Sequence, residues 1–202
     1  MSLKSYILIS IFSLTITSCS AQLKKIIRNV EKYSFKEEAR DSNLLAIQKK
    51  YDLIIGYSSY NKSWGHIPTQ YFLIALKKDE WKAYKYVIYK NAINNQKPYT
   101  ITPFDLPDEY KDSFLLAIKQ NKIWQLNHSE KDEMFCPATK EYAHCMINDA
   151  DSKNLILMTK THQTGSDFYA PEFFEYECCP GNNNRQRFLN FIKPIQKVFE
   201  GK

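Results

Sequence analysis

Glycine is scarce in this chain, with five among 202 residues. None is spaced to cradle a phosphate, so the patterns G-x-G-x-x-G and G-x-x-x-x-G-K-[ST] are both absent. Their absence removes the backbone loops that bind dinucleotides and nucleoside triphosphates. The G-x-S-x-G turn that lifts a nucleophilic serine above a sheet is missing too. No C-x-x-C redox or metal spacing occurs. Beyond residue 18 no uncharged apolar run approaches the roughly 20 residues that a membrane-spanning helix needs. A nucleic-acid binder would carry a basic stripe with aromatic residues to stack on bases. Here lysine is scattered among Asp and Glu, and only Arg185 and Arg187 stand close together, so no nucleic acid is expected as a partner.

What the chain does have begins at its N-terminus. Lys4 is followed by an apolar stretch from Tyr6 to Ile16 and by Ile16-Thr17-Ser18-Cys19. A charged start, a short apolar stretch and small residues at a processing point are the parts of an export signal. The ending resembles the lipobox of bacterial lipoproteins, and the resemblance implies that Cys19 is lipidated and becomes the new N-terminus. Residues 1–18 are then a signal peptide, 19–33 an anchor with an N-terminal amphipathic helix, and 34–202 the folded domain. The expected location is the bacterial cell envelope, facing the periplasm or exterior, with the membrane engaged through the lipid. The competing cut follows Ala21, with Cys19 and Ala21 at the −3 and −1 positions, and gives a soluble secreted protein starting at Gln22. Ile-Thr-Ser directly before Cys is the tighter of the two patterns.

Removing residues 1–18 leaves 184 residues and takes away one lysine, so the net charge falls from +6 to +5. That length suits one domain with a substantial core. Fourteen Tyr and twelve Phe supply bulky, half-buried side chains of the kind that strands favour.

Periodicity divides the chain into elements. Leu23, Ile26, Ile27 and Val30 recur at helical spacing between basic residues, a pattern that fits a helix on a membrane or, more simply, one packed on the domain. Ser34-Phe35-Lys36-Glu37 fits a capping box opening a second helix to about Lys50, with Leu44, Leu45 and Ile47 inward. Tyr51 to Tyr57 reads as a strand, and Tyr71–Lys77 with Trp81–Tyr89 as a hairpin. Asp105 to Gln120 is a helix with Tyr110, Phe114, Ala117 and Ile118 on one face. A second hairpin is expected from Ala143–Asn148 and Leu155–Lys160, and a strand from Phe173 to Cys178. The Pro180-Gly181-Asn182-Asn183-Asn184 stretch opens a last helix to about Phe199, which Pro194 should kink or break. The resulting fold class is α+β: a single domain with an antiparallel sheet of about five or six strands and helices mainly on one face.

Cys136, Cys145, Cys178 and Cys179 form an even set in an exported chain, which favours disulfides. A bond between the neighbours Cys178 and Cys179 is geometrically poor, because adjacent Cα atoms lie ~3.8 Å apart. Either cross-pairing of Cys136 and Cys145 with that pair remains, as does a lone Cys136–Cys145 bridge. A metal site using His144 beside Cys145, with the Cys178-Cys179 pair as further ligands, is the rival, and neither cysteine half has the usual ligand spacing.

The loop from Ser58 to Gln70 carries Tyr60, Trp64 and His66, residue types that dominate binding hot spots, next to a plain core-plugging role for the Trp. His128, Glu130, Asp132 and Glu133 match no fixed ion-binding register and read as a solvated turn. His162, Ser166 and Asp167 have the residue types of a hydrolase triad, which only geometry identifies. No catalytic residue, metal site or cofactor is assigned. The expectation is a non-catalytic, lipid-anchored module that binds a protein partner or small ligand, in one version a toxin-blocking guard. The alternatives are a secreted hydrolase using the His66 or His162 region and a metal-binding periplasmic protein.

Overall fold

The computed structural model describes residues 21–37, 39, 42–61, 69–78, 80–89, 99–126, 135–142 and 144–199. The apolar positions of residues 21–33 recur every three or four residues, and this segment forms a helix, α1, that buries Leu23, Ile26 and Val30. Helix α2 (Ser42–Lys50) leads into strands β1 (Leu53–Asn61), β2 (Thr69–Lys77), β3 (Glu80–Ile88) and β4 (Tyr99–Phe104). Helix α3 (Asp108–Asn121) and the two-residue strands β5 (Phe135–Cys136) and β6 (Glu141–Tyr142) follow. Then come β7 (Asp151–Met158), β8 (Gln163–Tyr169), the short turn α4 (Pro171–Phe173) and the long helix α5 (Asn183–Phe199).

Six strands form one antiparallel sheet in the order β4-β3-β2-β1-β7-β8, with β1 paired to both β2 and β7. The alternation of β1 splits its side chains between two layers. Leu53, Ile55 and Tyr57 face α1, α3 and α5, where Phe114, Ile118, Phe188, Phe191 and Ile192 complete the larger core. Phe168 of β8 lies 4.4 Å, ring to ring, from Phe188, and Phe72 of β2 lies 4.6 Å from Phe199. Phe168 and Phe188, fully buried, each contribute roughly 1.5–3 kcal/mol. Ile54 and Gly56 face the other layer, where Leu44, Leu45 and Ile47 of α2 pack on Tyr51, Leu73 and Met158. A Cβ at Gly56 would stand 3.0 Å from a Leu73 methyl, so the glycine lets Leu73 and Ile156 close over β1. The chain is thus a single α+β domain with three helices on one face and α2 on the other.

Several sequence expectations are corrected. The capping box at Ser34 does not form: Phe35 exchanges two backbone hydrogen bonds with Gln163 on the edge strand β8, and α2 starts only at Ser42. The Ala39 N–H is satisfied instead by the buried Gln48 side chain, which also reaches the Thr159 carbonyl. The first strand of the hairpin expected from 143–148 and 155–160 does not form over the described residues 144–148. Residues 144–150 are irregular, β7 begins at Asp151, and its second partner is the polar strand Gln163–Tyr169. That strand and Tyr99–Phe104 escape pattern reading because each lies at a sheet edge and buries few side chains. Phe173–Cys178 is helical rather than extended: Pro171 opens the turn α4, which continues as a π-turn over Phe174–Cys178. Helix α5 runs through Pro194 unbroken, held by the buried Phe191, Ile192 and Ile195 around it.

Candidate functional site

Pairing register brings a polar group together at one end of the α2 face. Ser58 lies opposite Asn154, Tyr60 opposite Ser152, and Asn154 opposite Asp167. The Tyr60 hydroxyl donates to Asp167 Oδ2 at 2.7 Å. Asn154 Oδ1 and Asp167 Oδ1 are buried and have no donor among the described residues. Tyr60 and Asp167 therefore share one site, although they lie 107 positions apart in sequence. Burial, then the bond to Asp167 and its charge, push the Tyr60 phenol far above its ordinary value. Burial also raises Tyr71, against a partial offset from the Ser58 hydroxyl. On the same face Tyr84 lies 2.6 Å, oxygen to oxygen, from Tyr51, and burial followed by that bond pushes it up to about 12.

These phenols stay protonated in the folded chain at pH values where the unfolded chain has ionised. The stability they contribute is complete below about pH 10 and is lost as pH rises through the folded values. We expect a tyrosinate absorbance titration to show a class of phenols that ionise late and only as near-ultraviolet circular dichroism is lost. Tyr84→Phe should shrink that class. Uniform ionisation near pH 10 with the fold intact would contradict the arrangement.

The triad types do not converge. Ser166 and Asp167 point to opposite faces of β8, and Ser166 Oγ donates to the Leu126 carbonyl at 2.9 Å. His162 sits in the β7–β8 turn with Nδ1 beside Thr161 Oγ1. These three residues form no nucleophile–base pair. Cys19, Trp64, His66, His128, Glu130, Asp132 and Glu133 lie outside the described residues.

The second assembly is built on the cysteines. Cys136 and Cys179 lie at disulfide distance, with Cα atoms 4.9 Å apart, and so do Cys145 and Cys178, at 6.1 Å. Of the pairings left open by sequence, this is one of the two cross-pairings. The sulfurs of Cys145, Cys178 and Cys179 lie within 4.8 Å of one another, and exposed His144 is not in that group. Beneath them lies a buried ion pair. Arg185 has no exposed side-chain surface and donates to Glu175 Oε2 at 2.9 Å and to the Cys179 carbonyl. Glu175 Oε1 accepts from the Gly181 N–H at 2.9 Å and from Gln186 Nε2 at 2.7 Å. Gly181, at φ +96°, turns the chain so that this N–H reaches the carboxylate. Arg187, the other member of the arginine pair, donates to the carbonyls of Asn121 and Lys122 and so caps the end of α3.

Sequence reasoning missed what this knot displays. Eight large apolar side chains are exposed among the described residues, and four of them flank the cysteines: Phe135, Tyr142, Met146 and Tyr176. Met146 is 86 % exposed and Tyr176 60 %. The rings of Phe135 and Tyr142 meet edge to face at 6.1 Å. The signal available in the sequence was large apolar residues beside cysteines in otherwise polar surroundings.

The class defined by fold and site is therefore one α+β domain in which Cys136, at the end of β5, and Cys145 are drawn onto the 174–179 turn at two cysteine pairs. Among known proteins the chain matches no family model, no curated protein and no solved structure. No helix among the described residues is long and apolar enough to cross a membrane.

Proposed function

We propose that this chain is a lipid-anchored binding module of the bacterial cell envelope that engages a protein partner through the apolar surface of its cysteine knot. The observation that carries the reading is that, among the described residues, half of the exposed large apolar side chains flank the paired cysteines, on the 135–146 segment and on the 174–179 turn. Tyr and Met are enriched at the centres of protein interfaces. Cross-links beneath such a surface reduce the entropy lost when a partner is bound. A domain of this size, held outside the cytosol by Cys19, suits a guard that blocks an incoming protein toxin.

The test is capture from envelope extracts of the native host with wild-type chain and with Tyr142→Ala/Tyr176→Ala. One partner should be retained in a one-to-one complex and bind the variant at least about 30-fold more weakly, as loss of a hot-spot aromatic implies. Recovery of no specific partner, or equal capture by the variant, would sink the reading. The closeness of the Cys145, Cys178 and Cys179 sulfurs favours a second reading, a metal-binding periplasmic protein. Native mass separates the two. Disulfides leave the chain four hydrogens lighter than its reduced form, whereas a metal site leaves free thiols and bound zinc.

A further inference from the structure

A cavity of about 330 Å³ opens between α1 and the end of α3, far in sequence from the cysteine knot. Its walls carry Lys25 and Tyr33 from α1, and Lys119, Lys122 and Trp124 from the end of α3 and the turn that follows; Ile26 forms part of the floor. Among the described residues no Asp or Glu lines it. The three lysines are exposed, and none forms an ion pair with a carboxylate among the described residues. Arg187, seated on the Asn121 and Lys122 carbonyls, adds a fourth cation at the same helix end. The apolar side of α1 is spent on the core, while Lys24, Lys25, Arg28 and Lys32 all face outward. A cleft with cations at its mouth and an indole in its wall fits a phosphate joined to an apolar or glycerol body.

We infer that this cleft takes the phosphate-bearing headgroup of an anionic lipid, so that the domain lies on the bilayer by its α1 face. The inference rests on the lipid-anchor part of the proposed function. Cys19 stands two positions before Ala21, the first described residue of α1, a reach of at most ~7 Å. Lys25 follows one helical turn later, at 1.5 Å per residue. An acylated Cys19 therefore holds Lys25 and the cleft mouth at headgroup depth whatever course the chain takes from Cys19 to Ala21. A basic surface beside a lipid anchor is a recognised second contribution to membrane attachment.

The test uses the chain from residue 19 onward with Cys19→Ser, which keeps both cores and carries no lipid. Flotation with mixed phosphatidylglycerol–phosphatidylcholine vesicles should exceed that with phosphatidylcholine alone and fall steeply with salt. Lys25→Gln/Lys119→Gln/Lys122→Gln should weaken it by roughly a hundredfold, since each lysine near an anionic surface contributes about fivefold. The matching triple Lys→Arg variant should keep it, which separates lost charge from lost fold. Equal flotation on both vesicles, or a triple Gln variant that floats like wild type, would overturn the inference. Millimolar inorganic phosphate that displaces the chain from vesicles, and alters Trp124 fluorescence without them, would reassign the cleft to a free phosphate and also overturn it. Intact mass of the native product reports the anchor separately. A chain with no acyl group at Cys19 defeats the anchor while leaving vesicle selectivity standing. An acylated chain with no selectivity does the reverse.

Discussion

Replacing Cys145 and Cys178 together by alanine should lower the unfolding free energy by ~3 kcal/mol, and replacing all four knot cysteines by ~7 kcal/mol. The unequal steps come from nesting. A first bridge closes a loop of 43 or 33 residues, which restricts the unfolded chain by ~4 kcal/mol on the chain-entropy model. With either bridge in place, the second has only to close a circuit of roughly ten residues, through the 136–145 segment and the Cys178–Cys179 step, and adds ~3 kcal/mol. For a domain of this size that corresponds to a fall of about 10 °C in Tm for one bridge and about 20 °C for both. Scanning calorimetry of the two variants, with peptide mapping of the native links as 136–179 and 145–178, checks both the magnitude and the pairing. A four-cysteine variant that melts within about 3 °C of wild type would show that packing alone holds the segment. The loss should extend to partner capture, because the same links fix Phe135, Tyr142, Met146 and Tyr176 relative to one another.

How much of this was legible beforehand follows from where each residue spends its side chain. Helix α3 is legible because its apolar residues recur with one clear period and face one core, and the β2–β3 hairpin because two apolar runs flank a short polar turn, with Ile74 and Leu76 entering one core and Leu73 and Ala75 the other. The edge strands were not. In Gln163–Tyr169 only Ser166 and Phe168 are buried, and the serine serves a carbonyl rather than an apolar neighbour. The 173–178 segment misled for the opposite reason. Its aromatic run suits a strand, yet Glu175 must turn inward to meet Arg185, and a helical turn opened by Pro171 delivers it there. The Tyr60–Asp167 pair joins two residues singled out for unrelated reasons, and only the register β1–β7–β8 brings them together. An even cysteine count and an expected export signal point to cross-links, whereas the choice between the two cross-pairings needs the path of the chain.

The knot depends as much on the charge pair beneath it, and Arg185→Met should cost about 3–5 kcal/mol, the range for removing one partner of a buried ion pair. That is a large share of the 5–15 kcal/mol by which a domain of ordinary stability is folded. The reason is what remains: Glu175 stays 5 % exposed, with the Gly181 N–H and Gln186 as its surviving partners, while the Cys179 carbonyl loses its guanidinium donor. Arg185→Lys should recover only part of the loss, because one ammonium on a flexible stem cannot hold the carboxylate and that carbonyl with the geometry of a planar fork. Glu175→Leu/Arg185→Met removes both charges and should be markedly more stable than Arg185→Met alone. Urea unfolding with an unchanged m-value measures all three variants on one scale. If Arg185→Met costs less than about 1 kcal/mol, the pair is not what sets the Cys178–Cys179 turn, and the partner surface must owe its shape to the sulfur links.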